Sequence, residues 1–178
     1  RLETGSDRVK AIEANMTDFE LDMHFPLVIL PCNTFSTLKA AARQAMLANL
    51  IRHLAPNGLF AASLPNPWML DELPQRSAEE LEETFINPKT GNPVQVFSAW
   101  RRTKMHFVVR WRYEHLLPDG TVEHYNAEAR HWLTSAETYV REIDAAGLEI
   151  RAIYGDFEKQ AYTPEADDFI IEAVKRSD

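Results

Sequence analysis

The chain has 178 residues, a single-domain length that can bury a full core. Its 45% hydrophobic and 26% charged residues are ordinary for a soluble globular protein, and a net charge of -8 with no run of Lys or Arg argues against nucleic acid or an anionic membrane as the main partner. One cysteine excludes an internal disulfide and suits a reducing cytoplasm, and no apolar run reaches the roughly 18–20 residues of a membrane span.

Residues 9–14, VKAIEA, alternate apolar and polar and read as a short strand ending on a polar turn at Asn15-Met16-Thr17-Asp18. Residues 27–30, LVIL, are apolar throughout, which predicts a strand covered on both faces, as in a parallel sheet. It runs into Pro31-Cys32-Asn33-Thr34, a loop of small polar residues. A helix is expected over 37–54, with Ser36 or Thr37 as N-cap, a stripe of Leu47, Leu50, Ile51 and Leu54, and a stop at Ala55-Pro56-Asn57-Gly58. Residues 59–64, LFAASL, form the next buried strand and close on Pro65-Asn66-Pro67-Trp68, which completes a right-handed parallel crossover.

The middle of the chain changes character. Ser77-Ala78-Glu79-Glu80 has the capping-box pattern of a short helix running to Phe85, followed by a loop over 87–93. Long strands are then expected over 94–103, 105–117 and 121–133, with Pro118-Asp119-Gly120 as the hairpin turn between the last two. Phe107, Val109, Trp111 and Tyr113 share one face and Arg110, Arg112 and Glu114 the other, so the platform is expected to be covered on its aromatic side. Alternation of strand and helix resumes with a capping box at Thr134-Ser135-Ala136-Glu137, a stripe of Tyr139, Val140, Ile143 and Ala146, and Gly147 at the helix end. Strands at 148–153, ending in Tyr154-Gly155-Asp156-Phe157, and at 169–174 finish the chain.

The bland readings are explicit. Cys32 has no motif partner and reads as a packed loop thiol; the histidines lack ligand spacing, so no metal is expected. Trp111 and Tyr113 serve as hydrophobic cover as readily as substrate contacts, and Asn33 could simply cap its own turn.

NMTDF, then FPLVILPCNTFSTL, then LIRHLAPNGLFAASLPNP resemble the second half of a class I S-adenosylmethionine-dependent methyltransferase, and the tail from Trp111 to Phe157 resembles the small-molecule members of that superfamily. The resemblance implies an α/β, Rossmann-like methyltransferase fold, a three-layer αβα arrangement on a mostly parallel sheet, with an antiparallel β insertion. It divides the chain into the remaining cofactor core (1–67), an insertion covering the substrate (68–133) and a C-terminal part completing the sheet (134–178). It implies S-adenosylmethionine as cofactor, S-adenosylhomocysteine as product, and transfer to a small-molecule acceptor. Asn15, Met16 and Thr17 would hold adenine, with Asn15 where the family carries an acid. Pro31, Cys32, Asn33 and Phe35 would line the methionine end. Trp68, Trp111, Tyr113, Arg130, His131 and Tyr154 would face the acceptor, and no catalytic base is assigned.

Two departures stand out. The family's glycine-rich loop is absent, since no two of the six glycines are close together, and so is the acid that clamps the ribose; Thr4-Gly5-Ser6-Asp7 reads as a loop. A lost stretch of roughly 60–80 residues, two βα units, is therefore expected ahead of Arg1, leaving 9–14 without a neighbour and 27–30 at a bare edge. The competing expectation is a non-catalytic module of methyltransferase ancestry that holds a partner or a second copy of itself. Another Rossmann-like enzyme is a weaker third reading.

Overall fold

Residues 27–30 do form a strand, β1 (Phe25–Leu30), in a computed structural model that describes residues 9–176. The Thr4-Gly5-Ser6-Asp7 segment lies outside the described residues. After β1 come a one-turn helix α1 (Thr34–Thr37), α2 (Ala40–His53), β2 (Leu54–Pro65) and a short α3 (Pro67–Glu72). The expected 37–54 helix is thus broken at Leu38 and Lys39, both extended, and its N-cap is Lys39 rather than Ser36 or Thr37. The stripe is right: Leu47, Leu50 and Leu54 are buried and Ile51 packs against them.

The chain continues through β3 (Glu80–Ile86), β4 (Pro93–Arg102), β5 (His106–Leu116), β6 (Val122–Trp132), α4 (Ala136–Ala145), β7 (Leu148–Tyr154) and β8 (Asp168–Lys175). One sheet has the order β1-β2-β8-β7. β1 and β2 pair in parallel, and β8 runs antiparallel to both β2 and β7. Three strands therefore point one way, and β1, β2 and β7 end on one rim, where β8 begins.

α2 and α4 pack side by side on one face of this sheet. Met46, Leu47 and Leu50 of α2 and Tyr139 and Ile143 of α4 share a single core with Phe60, Leu64, Leu148, Phe169 and Ile171. The helices are also clamped by Arg43, only 3% exposed, whose guanidinium meets both oxygens of Glu142 at 2.6 and 2.8 Å and donates to Leu38 O. Of the three expected layers, the described residues supply the sheet and one layer of helices. Val28 and Leu30 turn into the core, while Leu27 and Ile29 on the opposite face are 51% and 62% exposed. Among the described residues no strand pairs with the outer edge of β1.

Residues 9–14 are exposed and form no strand. A strand needs a ladder partner for its backbone groups, and none stands beside this segment among the described residues. The following residues are strapped to α2 instead: Asn49 Nδ2 donates to Met16 O, Leu21 N–H donates to His53 Nε2, and the Phe19 and His53 rings meet at a tilt with centroids 4.6 Å apart.

The second sheet runs β3-β4-β5-β6, antiparallel throughout. Its three long strands match the sequence reading, and Gly120 takes the expected positive φ of 85° in the hairpin turn. The expected helix from Ser77 is instead β3. Ser77 Oγ accepts the Trp100 backbone N–H and Ser77 N–H donates to Trp100 O, so the residue meant to cap a helix is engaged by β4. With the cap diverted, Thr84, Phe85 and Ile86 follow their preference for strand. The later helix is capped by Ser135, one residue beyond Thr134, and Gly147 sits just after its end at φ 90°.

Breaking the α2–α4 clamp tests this architecture. Arg43→Ala should destabilise the protein by about 3–5 kcal/mol in urea unfolding, because it strands a mostly buried Glu142 carboxylate. The double change Arg43→Met with Glu142→Leu should recover most of that loss.

Candidate active site

The rim where β1, β2 and β7 end carries the chemistry-bearing residues. The loop leaving β1 is rigid by its own hydrogen bonds. Thr34 N–H and Oγ1 both donate to Pro31 O, Ser36 N–H and Oγ donate to Asn33 O, and Thr37 Oγ1 donates to Thr34 O. These bonds hold Cys32 and Asn33 in consecutive left-handed conformations, φ 58° and 59°. For non-glycine residues each such position costs on the order of 1 kcal/mol, and strain of this kind concentrates at functional sites. Nothing in the spacing of Pro31-Cys32-Asn33-Thr34 announces two such residues.

Cys32 is exposed, not the packed thiol expected. Asn33 stands at the N-cap position of α1 but its side chain makes no cap bond, so the expectation that it caps its own turn fails. Its amide has no partner among the described residues. Phe35 is fully buried, 5.6 Å from the Tyr139 ring, so its side chain anchors the loop and offers a ligand nothing.

Ser36 joins this loop to the second sheet. Its Oγ lies 2.8 Å from His131 Nδ1, and both residues are buried. Ser36 has one hydroxyl proton, which goes to Asn33 O at 2.7 Å. The Ser36–His131 bond must then be donated by His131 Nδ1–H, which leaves the lone pair on Nε2. Nε2 has no partner among the described residues and is not fully enclosed. Burial pushes the His131 pKa down, keeping the ring neutral.

The end of β2 is organised by Asn66, which is fully buried. Its Oδ1 accepts from Trp68 N–H and Tyr162 OH, and its Nδ2 donates to Pro164 O and Ala166 O at 2.9 and 2.6 Å. Sequence reading passed over this residue; its only local signal is an Asn before Pro at a helix start. Burial drives the Tyr162 hydroxyl up to about 12. Trp68 extends from this point 49% exposed. Ser36, Pro65, Pro67, Trp132 and Tyr139 line one narrow crevice, which brings the loops after β1 and β2 together.

The remaining candidates divide. Met16 borders an apolar groove of about 360 Å³ with Val28, Leu30, Met46 and Leu50, so the first turn lies on the flank of β1 rather than against the Pro31–Phe35 loop. Asn15 Oδ1 accepts from Thr17 N–H and Oγ1, closing its own turn. Tyr154 is half-buried at the end of β7 with Lys159 Nζ 5.3 Å from its ring centre. On the platform, His131 pairs with Phe107, Trp111 with Ala127 and Tyr113 with Tyr125, so His131, Trp111 and Tyr113 share a face. At ~3.4 Å per residue, Tyr113 is roughly 20 Å along the strand from the His131 level and Trp111 roughly 13 Å, too far for all three to touch one small molecule. Arg130 belongs to the opposite, charged face with Arg110 and Glu128 and is more than half exposed. The aromatic face is covered at its base, where Phe107 is buried; Trp111 and Tyr113 are only half-buried.

No protein-family model and no curated protein matches the sequence. Solved structures do. A S-adenosylmethionine-dependent methyltransferase from Clostridium acetobutylicum ATCC 824 superposes with a TM-score of 0.78 at 7% identity, over 92% of this chain and 63% of the other. An amino pentose methyltransferase from Micromonospora echinaspora, solved with S-adenosylmethionine, gives 0.69 at 18% identity, over 92% and 63%. A sugar N-methyltransferase from Streptoalloteichus sp ATCC 53650 gives 0.69 at 20% identity, over 92% and 61%. The chain therefore has the α/β fold of S-adenosylmethionine-dependent methyltransferases and spans somewhat under two thirds of the length of these relatives in structure.

Two measurements probe the rim. Because Cys32 is exposed at positive φ, Cys32→Val should be less stable than Cys32→Gly by about 1–2 kcal/mol in urea unfolding. The second concerns pH. Folded His131 has a pKa below its ordinary 6.5, so the unfolded chain takes up this proton first. Its contribution to stability is complete above 6.5 and is lost as pH falls through the folded value. His131→Gln should therefore show a shallower decline of the urea midpoint between about pH 7.5 and 5.

Proposed function

We propose that this chain is part of a methyltransferase that uses S-adenosylmethionine to methylate a small-molecule acceptor in the cytoplasm. The observation that carries the proposal is the Pro31–Ser36 loop. It is a strained, self-bonded turn at the end of a parallel strand, presenting an Asn33 amide with no partner among the described residues on the rim where α/β sheets take their ligands. The named activities of the structural relatives support it, and amino sugars among their acceptors favour a nitrogen nucleophile.

The residues present fit the methionine end of the cofactor better than its nucleoside. Asn33 has hydrogen-bonding capacity that no described residue uses, and Cys32 beside it is exposed. Met16 would offer adenine an apolar wall, whereas Asn15 must leave Thr17 to reach it. No Gly-x-Gly-x-Gly loop is available for the ribose side. A segment preceding this chain, paired to the bare edge of β1 and covering Leu27 and Ile29, would supply what is lacking.

When bound, S-adenosylmethionine brings a methyl group already activated by its sulfonium, so the protein's task is to position and desolvate the acceptor. Asn33 and the loop backbone would orient the donor, and Trp68, His131 and Tyr154 would border the acceptor on the same rim. The exposed β1 edge favours one second reading, a module that pairs with another chain or a second copy through that edge.

Calorimetric titration of S-adenosylhomocysteine into the 178-residue chain and into a longer natural form separates these readings. The proposal expects binding to the longer form and weak or no binding to the 178-residue chain. Binding to neither form, with a concentration-dependent dimer in sedimentation, would replace the enzyme by the pairing module.

A further inference from the structure

We propose that His131 is the proton acceptor of this site, held by Ser36 so that its Nε2 lone pair faces the acceptor molecule and takes a proton from the nucleophile. The inference rests on the methyltransferase reading and deepens it, because it defines the acceptor as one whose reacting nitrogen or oxygen carries a proton at neutral pH.

The argument is one of proton accounting. Ser36 belongs to the loop that leaves β1, and its only proton is committed to Asn33 O. The loop therefore dictates the histidine tautomer: Nδ1–H donates to Ser36 Oγ and Nε2 stays basic. A histidine kept only for packing would more commonly have both ring nitrogens engaged, as His53 does with Asn49 O and the Leu21 N–H. Among the described residues His131 has one nitrogen fixed and one free, in a residue that is 8% exposed. The ring is oriented by β6, which pairs it with Phe107, and by α1, which abuts β6.

The charges around it leave the base in its neutral form. α1 carries no titratable side chain, and Phe107 faces His131 from β5. By register, Arg102 of β4 shares the face two strands away and is bonded to Asp71 of α3. Arg130 and Trp132 flank His131 in sequence and point to the opposite face, where Lys39 lies over the Trp132 ring. No carboxylate pairs with His131, so burial alone sets its basicity and favours the uncharged ring that a base requires.

The step balances simply. A protonated amine, or a hydroxyl, gives its proton to His131 Nε2; the bonding pair stays on the nucleophile as the lone pair that attacks. The imidazolium that forms keeps its Nδ1–H bond to Ser36 and returns the proton from Nε2 to solvent once the product has left. An acceptor with no proton to lose, such as a tertiary amine or a carboxylate, gains nothing from this residue.

Two readouts test it. Long-range nitrogen–proton NMR of the wild-type protein should show His131 with a protonated Nδ1 and bare Nε2. Ser36→Ala should scramble that tautomer and Ser36→Thr restore it, which a purely structural role for Ser36 does not require. The second readout compares sinefungin, whose amine replaces the sulfonium methyl, with S-adenosylhomocysteine in the full-length protein. As pH falls through the lowered folded pKa and His131 charges, affinity for the cationic analogue should drop relative to S-adenosylhomocysteine by roughly fivefold, one charge–charge contact. His131→Gln should abolish that dependence while still binding S-adenosylhomocysteine. An Nε2–H tautomer, or the same pH dependence in His131→Gln, overturns the inference and leaves the methyltransferase reading standing. Failure of the wild type to bind S-adenosylhomocysteine removes that reading, and the inference with it.

Discussion

Ser36 stands where three parts of the molecule meet. Its hydroxyl closes the loop after β1 by donating to Asn33 O, and its lone pair accepts from His131, 95 positions later in the chain. The first bond helps hold Asn33, and Cys32 beside it, in a left-handed turn that ordinary side chains resist. The second seats the antiparallel platform against the parallel sheet, with α1 touching β6. The same oxygen thus shapes the candidate cofactor loop, docks the antiparallel sheet and selects a histidine tautomer. Few single atoms in the structure carry so many consequences.

The rest of the rim is built around that junction by buried polar groups with nearly all their capacity used. Asn66 ties the end of β2 to the 162–166 segment through both ends of its amide, and Arg43 closes α2 on α4 with a bidentate ion pair. Such groups add less net stability than their number suggests, since each was solvated in the unfolded chain, but they are costly to leave unpaired. Their effect is to fix positions. By contrast, β1 keeps a bare edge and two exposed aliphatic side chains on the face away from the helices. Among the described residues, one face of β1 is packed on the helices and the other is exposed.

Much of this was legible in the residues. LVIL and LFAASL are apolar without alternation, and the helix between them is amphipathic at the right spacing, so the parallel pair follows from pattern alone. Pro118-Asp119-Gly120 fixed the hairpin because glycine takes the positive φ that the turn demands. Where the reading failed, long-range partners overrode local preference. Ser77-Ala78-Glu79-Glu80 has helix chemistry, but β4 takes both hydrogen bonds of Ser77. VKAIEA has strand chemistry but no neighbour. In the candidate site, Cys32, Asn33 and His131 were named from the sequence, yet their geometry was invisible: no local rule predicts consecutive left-handed residues, or a bond between positions 36 and 131. Arg130 and His131 were named together although strand alternation sends them to opposite faces.

The central claim is that the turn after β1, seated by Ser36 and bordered by the end of β2, is where a sulfonium nucleotide binds. Amide chemical-shift mapping during addition of S-adenosylhomocysteine to the full-length protein tests it most directly. The account predicts that the largest shifts fall at Cys32, Asn33, Thr34 and Ser36, with His131 responding through its bond to Ser36. Shifts confined to the charged face of the platform, around Arg110, Glu128 and Arg130, would contradict it.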